Sequence, residues 1–244
     1  MSYEQTELVK RVEEFVKREL ANHDGSHDFW HIHRVRNTAL SIAKEEFEGI
    51  TTNADFELIE ITTLLHDVRD YKYAKKGTTG NDLEKQLDEV LNEVLVEYDR
   101  IDLVKKIISQ MGFKEELSNN SESKIGGAVV DEDDVRNDLI FKIVQDADRL
   151  DAIGAIGIAR TFCFGGAKGN PMYVPGIEPN VGLTKEEYVN NHGNVNPTIN
   201  HFHEKLLKLK DLMKTESGKK RACGRHEVMV RFLNDFSNEW EGVN

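Results

Sequence analysis

The chain has 244 residues, room for one large domain or two small ones, and its 32 Lys plus Arg stand against 44 Asp plus Glu for a formal charge of −12. A surface that acidic disfavours nucleic acid, whose binding rests on neutralised phosphates, so any anionic substrate needs its positive charge gathered locally. The longest apolar or glycine run, residues 152–159, is far short of the roughly 20 that span a bilayer, and the acidic N-terminus is unlike a targeting signal, so a cytoplasmic protein with no membrane or nucleic-acid partner is expected.

Helical spacing dominates the chain in order. Leu8, Val9, Val12, Phe15, Val16 and Leu20 predict a first helix over about 3–21. Trp30, Val35, Ala39, Leu40, Ala43 and Phe47 predict a second, opened by Ser26 or Asp28 as N-cap. A third starts at about Asn53 and runs into Leu64-Leu65; Leu83 to Val94 mark a fourth and Ile101 to Met111 a fifth. Residues 113–137 are polar and acidic and read as a solvated loop or insertion, and the helical pattern resumes from Leu139 to Ile158. Residues 165–197 hold all four prolines and six glycines, which predicts a long loop with a short helix near Lys185–Asn190. Two last helices are expected over about 198–215 and 218–240, with Met229, Phe232, Leu233, Phe236 and Trp240 forming either core or the face of a homodimer. No alternating strand pattern, repeat or low-complexity tract is present. The expected fold is all-α: a single helical bundle over 1–244 with two long loops. Cys163 and Cys223 fit no metal spacing and no disulfide framework, and are expected as buried packing residues.

The chemistry gathers at a few histidines and aspartates. Composition predicts about 0.7 His-Asp dipeptides, and the chain has three: His23-Asp24, His27-Asp28 and His66-Asp67. The last ends the apolar run Leu64-Leu65, where it is either the polar end of a core helix or a pair of metal ligands, because Asp is rarely buried unless paired or metal-bound. Neighbours on a helix diverge by about 100°, so both could reach one ion on the flank between them. His27 and His31 are four apart and share a helix face, as surface histidines or as ligands. In Ile143-Val-Gln-Asp-Ala-Asp-Arg-Leu-Asp151 three aspartates enter an apolar helix; Asp146 and Asp148 point about 200° apart, so only one of them can face a given ion.

His31 in Trp-His-Ile-His-Arg-Val, then His66-Asp67, then Asp148 in Ala-Asp-Arg-Leu together resemble the H…HD…D signature of the HD-domain metal-dependent phosphohydrolases. Ser26-His-Asp-Phe-Trp-His-Ile-His-Arg-Val35 and His201-Phe-His-Glu-Lys-Leu-Leu-Lys-Leu-Lys-Asp-Leu-Met213 are similar to the small subfamily with nucleotide pyrophosphatase activity. The resemblance runs from about residue 5 to Trp240, with a metal-site core at about 22–160 and C-terminal helices at about 198–240. It implies a single HD domain in which His31, His66, Asp67 and Asp148 hold one divalent ion, with Asp146 supporting. Two imidazoles with two carboxylates suit a borderline divalent ion such as Mn²⁺, Fe²⁺, Co²⁺ or Zn²⁺; Mn²⁺ is the first expectation, with Mg²⁺ a further candidate. Val68-Arg69-Asp70 stands where two-metal relatives carry glycine and lysine, and the Gly-Tyr-Pro signature of the cyclic-di-GMP branch is absent, which points to one metal. His203 stands where the subfamily is expected to have tyrosine.

The implied reaction is hydrolysis of a nucleoside triphosphate to monophosphate and pyrophosphate by a water that the ion activates. Asp67 and Asp70 are the catalytic candidates, Asp70 as the group that orients the water or accepts its proton. Arg69, Lys72, Lys75, Lys76 and Arg149 cluster in sequence about the ligands; Lys72 and Arg149 are the expected phosphate anchors, while Lys75 and Lys76 serve that role or only complement a helix dipole. His27 would contact phosphate or support a ligand. The 165–197 loop is a lid, part of the nucleoside pocket or a plain surface loop. Two other readings stay open: a phosphomonoesterase acting on nucleoside monophosphates, and a nucleotide-binding HD protein without turnover.

Overall fold

The computed structural model describes residues 4–21, 28–47, 52–68, 80–95, 98–111, 131–180 and 196–243. Every regular element among them is helical: α1 Glu7–Glu19, α2 Phe29–Glu46, α3 Asn53–Leu65, α4 Gly80–Val94, α5 Ile101–Gln110, α6 Glu132–Asp151, α7 Gly154–Ala167, α8 Asn200–Glu204, a 3-10 helix Leu206–Leu212 and α9 Glu216–Trp240. Among the described residues, no single helix is long and apolar enough to cross a membrane. The chain forms two compact units. The first takes in α1 to α5 and α6 through Gln145; the second takes in α6 from Asp146 onward, α7, α8, the 3-10 helix and α9.

In the first unit α3 is the central element. From Leu58 to Leu65 every residue is buried, which a helix accepts only when it is apolar all round or its polar groups are satisfied. α1, α2 and α5 pack on it, with Val12, Val16, Ile32, Val35, Ile42 and Ile107 in the shared core. Its buried threonines bond back along the helix, Thr62 Oγ1 to Leu58 O at 2.7 Å and Thr63 Oγ1 to Ile59 O at 2.8 Å. Its buried Glu60 takes Arg36 of α2, whose Nη1 also reaches Glu13 of α1 at 2.8 Å. One guanidinium therefore joins three helices. The start of α3 is set by a capping box between Thr52 and Asp55, and Arg136 of α6 pairs with the same Asp55.

α6 begins at Glu132, not at Leu139, so the last part of the expected acidic loop is helix. Acidity misleads here: Glu132, Asp133 and Asp134 sit in the first turn, where negative charge complements the helix dipole. Asp138 then pairs with Lys142 one turn on. The expected helix over 139–158 is two helices, because α6 stops at Asp151 and α7 starts at Gly154, whose φ of +75° suits glycine. A Cβ there would also come within 2.9 Å of Arg225 Cβ.

In the second unit α7 packs on α9, and both α9 and α8 pack on the 3-10 helix. Phe162, Phe202, Phe232 and Phe236 meet ring to ring at 5.8–6.4 Å, and Met229 is buried. On that face of α9 Met229 is core, Phe232, Leu233 and Phe236 are partly buried, and Trp240 stands half-exposed against Tyr173. Residues 165–167 complete α7 instead of opening a loop. The described part of that loop is fastened to the following chain: Pro171 O accepts from Thr198 N at 2.8 Å, Met172 O from Ile199 N at 3.0 Å, and Glu204 Oε1 from Asn180 N at 3.0 Å. The expected helix near Lys185–Asn190 lies outside the described residues. The expected helix over 198–215 is α8 followed by the 3-10 helix, broken at Lys205, whose φ of −136° is not helical. Cys163 and Cys223 are exposed, which corrects the expectation that they are buried. Each follows an inward residue, Phe162 and Ala222, and the next helical side chain turns about 100° away.

Candidate metal centre

The first turn of α2 and the turn that follows α3 carry the site. Asp28 caps α2, its side chain accepting the backbone N–H of His31 at 3.1 Å, and this sets His31 in the first helical turn. His31 is 1% exposed. α3 ends at Leu65 with His66 as its C-cap, still in helical conformation, and Val68 N–H returns to Leu65 O at 3.2 Å. His66 and Asp67 thus continue the direction of a helix whose body is fixed by burial.

The ring of His66 is oriented by its own helix: Nδ1 lies 2.8 Å from Thr63 O. A carbonyl oxygen only accepts, so Nδ1 carries the proton and Nε2 presents its lone pair. That Nε2 lies 3.6 Å from Asp67 Oδ1, while His31 Nε2 lies 3.2 Å from Asp67 Oδ2. The two imidazoles meet edge to face with centroids 5.4 Å apart. Donor atoms of His31, His66 and Asp67 all lie within 4.8 Å of one another. In that tautomer the His66 lone pair faces a carboxylate oxygen at 3.6 Å, a pairing that a cation between them would relieve. Two nitrogen donors and one oxygen donor, converging on half-buried ground, fit a first-row divalent ion. The geometry allows His66 and Asp67, with His31, to hold one metal ion.

The second unit carries the carboxylate turn. Asp146 is fully buried and spent on the chain: it accepts from Lys214 N at 3.0 Å, Thr215 N at 2.7 Å and Thr215 Oγ1 at 2.7 Å. Burial pushes its carboxyl up from the ordinary range, and the Thr215 and Lys214 hydrogen bonds oppose that. Asp151 takes Arg160 at 3.0 Å. Asp148, between them, is half-buried. Arg149 is 5% exposed and donates to Leu212 O, and burial lowers its pKa to about 10. Asp70, His27 and Lys72, with Arg69, Lys75 and Lys76, lie outside the described residues.

Spacing finds His31 but passes over Arg36, because an ion pair across three helices leaves no local pattern. The hold on Asp146 likewise left no local pattern, because Lys214 and Thr215 lie 68 and 69 residues away along the chain. A Cβ at Gly218 would lie 2.3 Å from Asp146 Oδ2.

No family model matches the chain. YpgQ of Bacillus subtilis is 30% identical over 241 residues, which cover 97% of this chain and 95% of that protein. Among solved structures, a Lactobacillus plantarum protein superposes with a TM-score of 0.75 at 31% identity, over 98% of this chain and 100% of that one. An HD-superfamily hydrolase from Bacillus thuringiensis is 36% identical with a TM-score of 0.62, over 96% of each chain. YpgQ has been crystallised in complex with ADP, and that structure matches with a TM-score of 0.62 at 29% identity, over 97% of this chain and 100% of that one. A helical fold, the clustering of His31, His66 and Asp67, and full-length likeness to such proteins lead to one conclusion: the chain belongs to the HD-domain family of metal-dependent phosphohydrolases.

Proposed function

We propose that the protein hydrolyses nucleoside triphosphates to the monophosphate and pyrophosphate in the cytoplasm, using one divalent ion, Mn²⁺ first among the candidates. The observation that carries this reading is the convergence of His31, His66 and Asp67; it is supported by the ADP held by a relative of nearly the same length. In the proposal Asp148 completes the ligand set. The ion, when bound, supplies Lewis acidity toward a phosphate oxygen and lowers the pKa of a coordinated water.

The chain's own groups have distinct tasks. The Nδ1–H bond to Thr63 O keeps His66 in the tautomer that can ligate. Asp67 spans both imidazoles and sets the negative charge that a dication needs. Asp70 is proposed to orient the attacking water and take its proton. Lys72 and Arg149 offset charge on the leaving pyrophosphate, and His27 contacts phosphate.

The test is a screen of canonical and modified nucleotides with Mn²⁺, Co²⁺, Mg²⁺ and Zn²⁺, with pyrophosphate and orthophosphate read separately. Pyrophosphate with nucleoside monophosphate is the expected product. Orthophosphate alone would make the protein a phosphomonoesterase, and tight binding without turnover under every metal would make it a nucleotide-binding protein.

A further inference from the structure

In the first unit, the large apolar side chains left exposed among the described residues are Trp30, at 61%, and Val135. An indole is among the largest apolar groups a fold can bury, and here it stands in solvent one residue from His31. It is nonetheless held. Phe29 lies 5.7 Å away at 65° and His33 5.8 Å away at 79°. Lys17 Nζ sits 4.9 Å over the Phe29 ring, and His33 Nε2 lies 3.0 Å from Asn37 Nδ2. Both neighbours meet Trp30 edge to face, and among the described residues no ring lies parallel on the indole. Braced edge to face by two rings yet 61% exposed, the indole offers π surface to a flat ligand.

Successive side chains on a helix diverge by about 100°, so from one turn of α2 the His31 imidazole enters the buried cluster while the Trp30 indole stays at the solvent edge. A nucleotide with phosphates at the cluster carries its base one sugar farther out. Aromatic side chains take bases by stacking, and do so with little regard for which base it is.

We propose that Trp30 is the base-stacking residue of the site: the planar base of a nucleoside polyphosphate lies on its indole while the phosphates face His31, His66 and Asp67. This rests on the nucleotide reading above. Stacking of this kind raises affinity for planar bases in general and discriminates weakly among them, so substrate choice would be broad in the base. No bond or proton changes hands at Trp30, so its loss acts on binding and spares the chemical step.

The chain has two tryptophans, Trp30 and Trp240, so Trp240→Phe leaves Trp30 as the sole indole. In that full-length variant with Mg²⁺, ADP should quench the fluorescence saturably, whereas inorganic tripolyphosphate, which has the charge and no base, should leave it unchanged while competing with ADP. Equal quenching by both, or none from ADP that equilibrium dialysis shows to be bound, overturns the proposal. Trp30→Leu should raise KM for a nucleoside triphosphate about tenfold or more with little change in kcat, and Trp30→Phe should recover most of the loss, with circular dichroism showing all three folded. An unchanged KM in Trp30→Leu counts against stacking even when turnover is normal, and would leave protein partners as the reason for an exposed indole. Absence of both turnover and ADP binding in the parent protein removes the nucleotide reading itself, and the stacking proposal with it.

Discussion

The His-Asp cluster of the first unit and the carboxylate turn of α6 in the second spend buried polar groups in opposite ways. At the cluster, His31, His66 and Asp67 bring potential ligand atoms within 4.8 Å of one another. On the α6 turn, Asp146 is consumed by the backbone and hydroxyl of Lys214 and Thr215, Asp151 by Arg160, and Arg149 donates to Leu212 O. A lone pair facing a carboxylate suits a cation between them, whereas a carboxylate facing N–H groups is complete without one. A buried carboxylate in an apolar helix is thus no sign of a ligand until its partners are known.

The sharpest way to break that contrast is to remove one acceptor from each place. His66→Ala should lose bound metal and activity together, the latter by more than about 100-fold, since even residues that only support a ligand cost 10–100-fold; metal content by elemental analysis alongside turnover is the measurement. Asp148→Asn should do the same. Asp146→Ala should keep the ion and instead lower stability by about 2–4 kcal/mol, since it strands three donors that serve a charged group, as read by denaturant unfolding. Full metal loss in Asp146→Ala with an unchanged unfolding midpoint would reverse the roles of the two aspartates.

Arg36 gives the first unit a completed buried pair of its own. Its guanidinium holds the nearly inaccessible Glu60 and also reaches Glu13. Arg36→Met leaves a buried carboxylate without its charge partner, a change that costs about 3–5 kcal/mol in comparable sites. Because α2 and α3 carry His31 and His66, the variant should also bind metal more weakly at temperatures where it stays folded. A double variant, Arg36→Met with Glu60→Gln, should recover part of the stability, because the uncompensated charge is gone.

Much of the fold was legible because apolar spacing survives in single helices: α1, α2, α3 and α5 fall where Val12, Val35, Ile61 and Ile107 recur at helical intervals. What escaped is what spacing does not encode. Acidic residues read as loop became the first turn of α6, a positive φ at Gly154 split one apolar run into two helices, and Lys205 divided another. For the site, the adjacency of His66 and Asp67 was visible in the sequence, and so was the helix that would carry them. The proton on Nδ1 that leaves His66 Nε2 able to ligate depends on a carbonyl 2.8 Å away, and no residue pattern specifies it.

The smallest effect expected tests whether the start of α3 matters to its end. Thr52 caps the helix, accepting from Asp55 N at 3.3 Å, while Asp55 Oδ2 takes Thr52 N at 2.8 Å and Thr52 Oγ1 at 2.7 Å. Thr52→Ala removes the hydroxyl from both exchanges and should cost about 1 kcal/mol. Asp55 still holds Arg136 of α6, so the register of α3 should survive. The His66-Asp67 turn lies at the far end of a helix buried from Leu58 to Leu65, and packing, more than capping, holds that end in place. Metal affinity in Thr52→Ala should therefore match that of the parent protein while the melting temperature drops by a few degrees. A matching fall in metal affinity would mean that α3 transmits fraying along its whole length, and that the cluster is held less firmly by its core than its burial suggests.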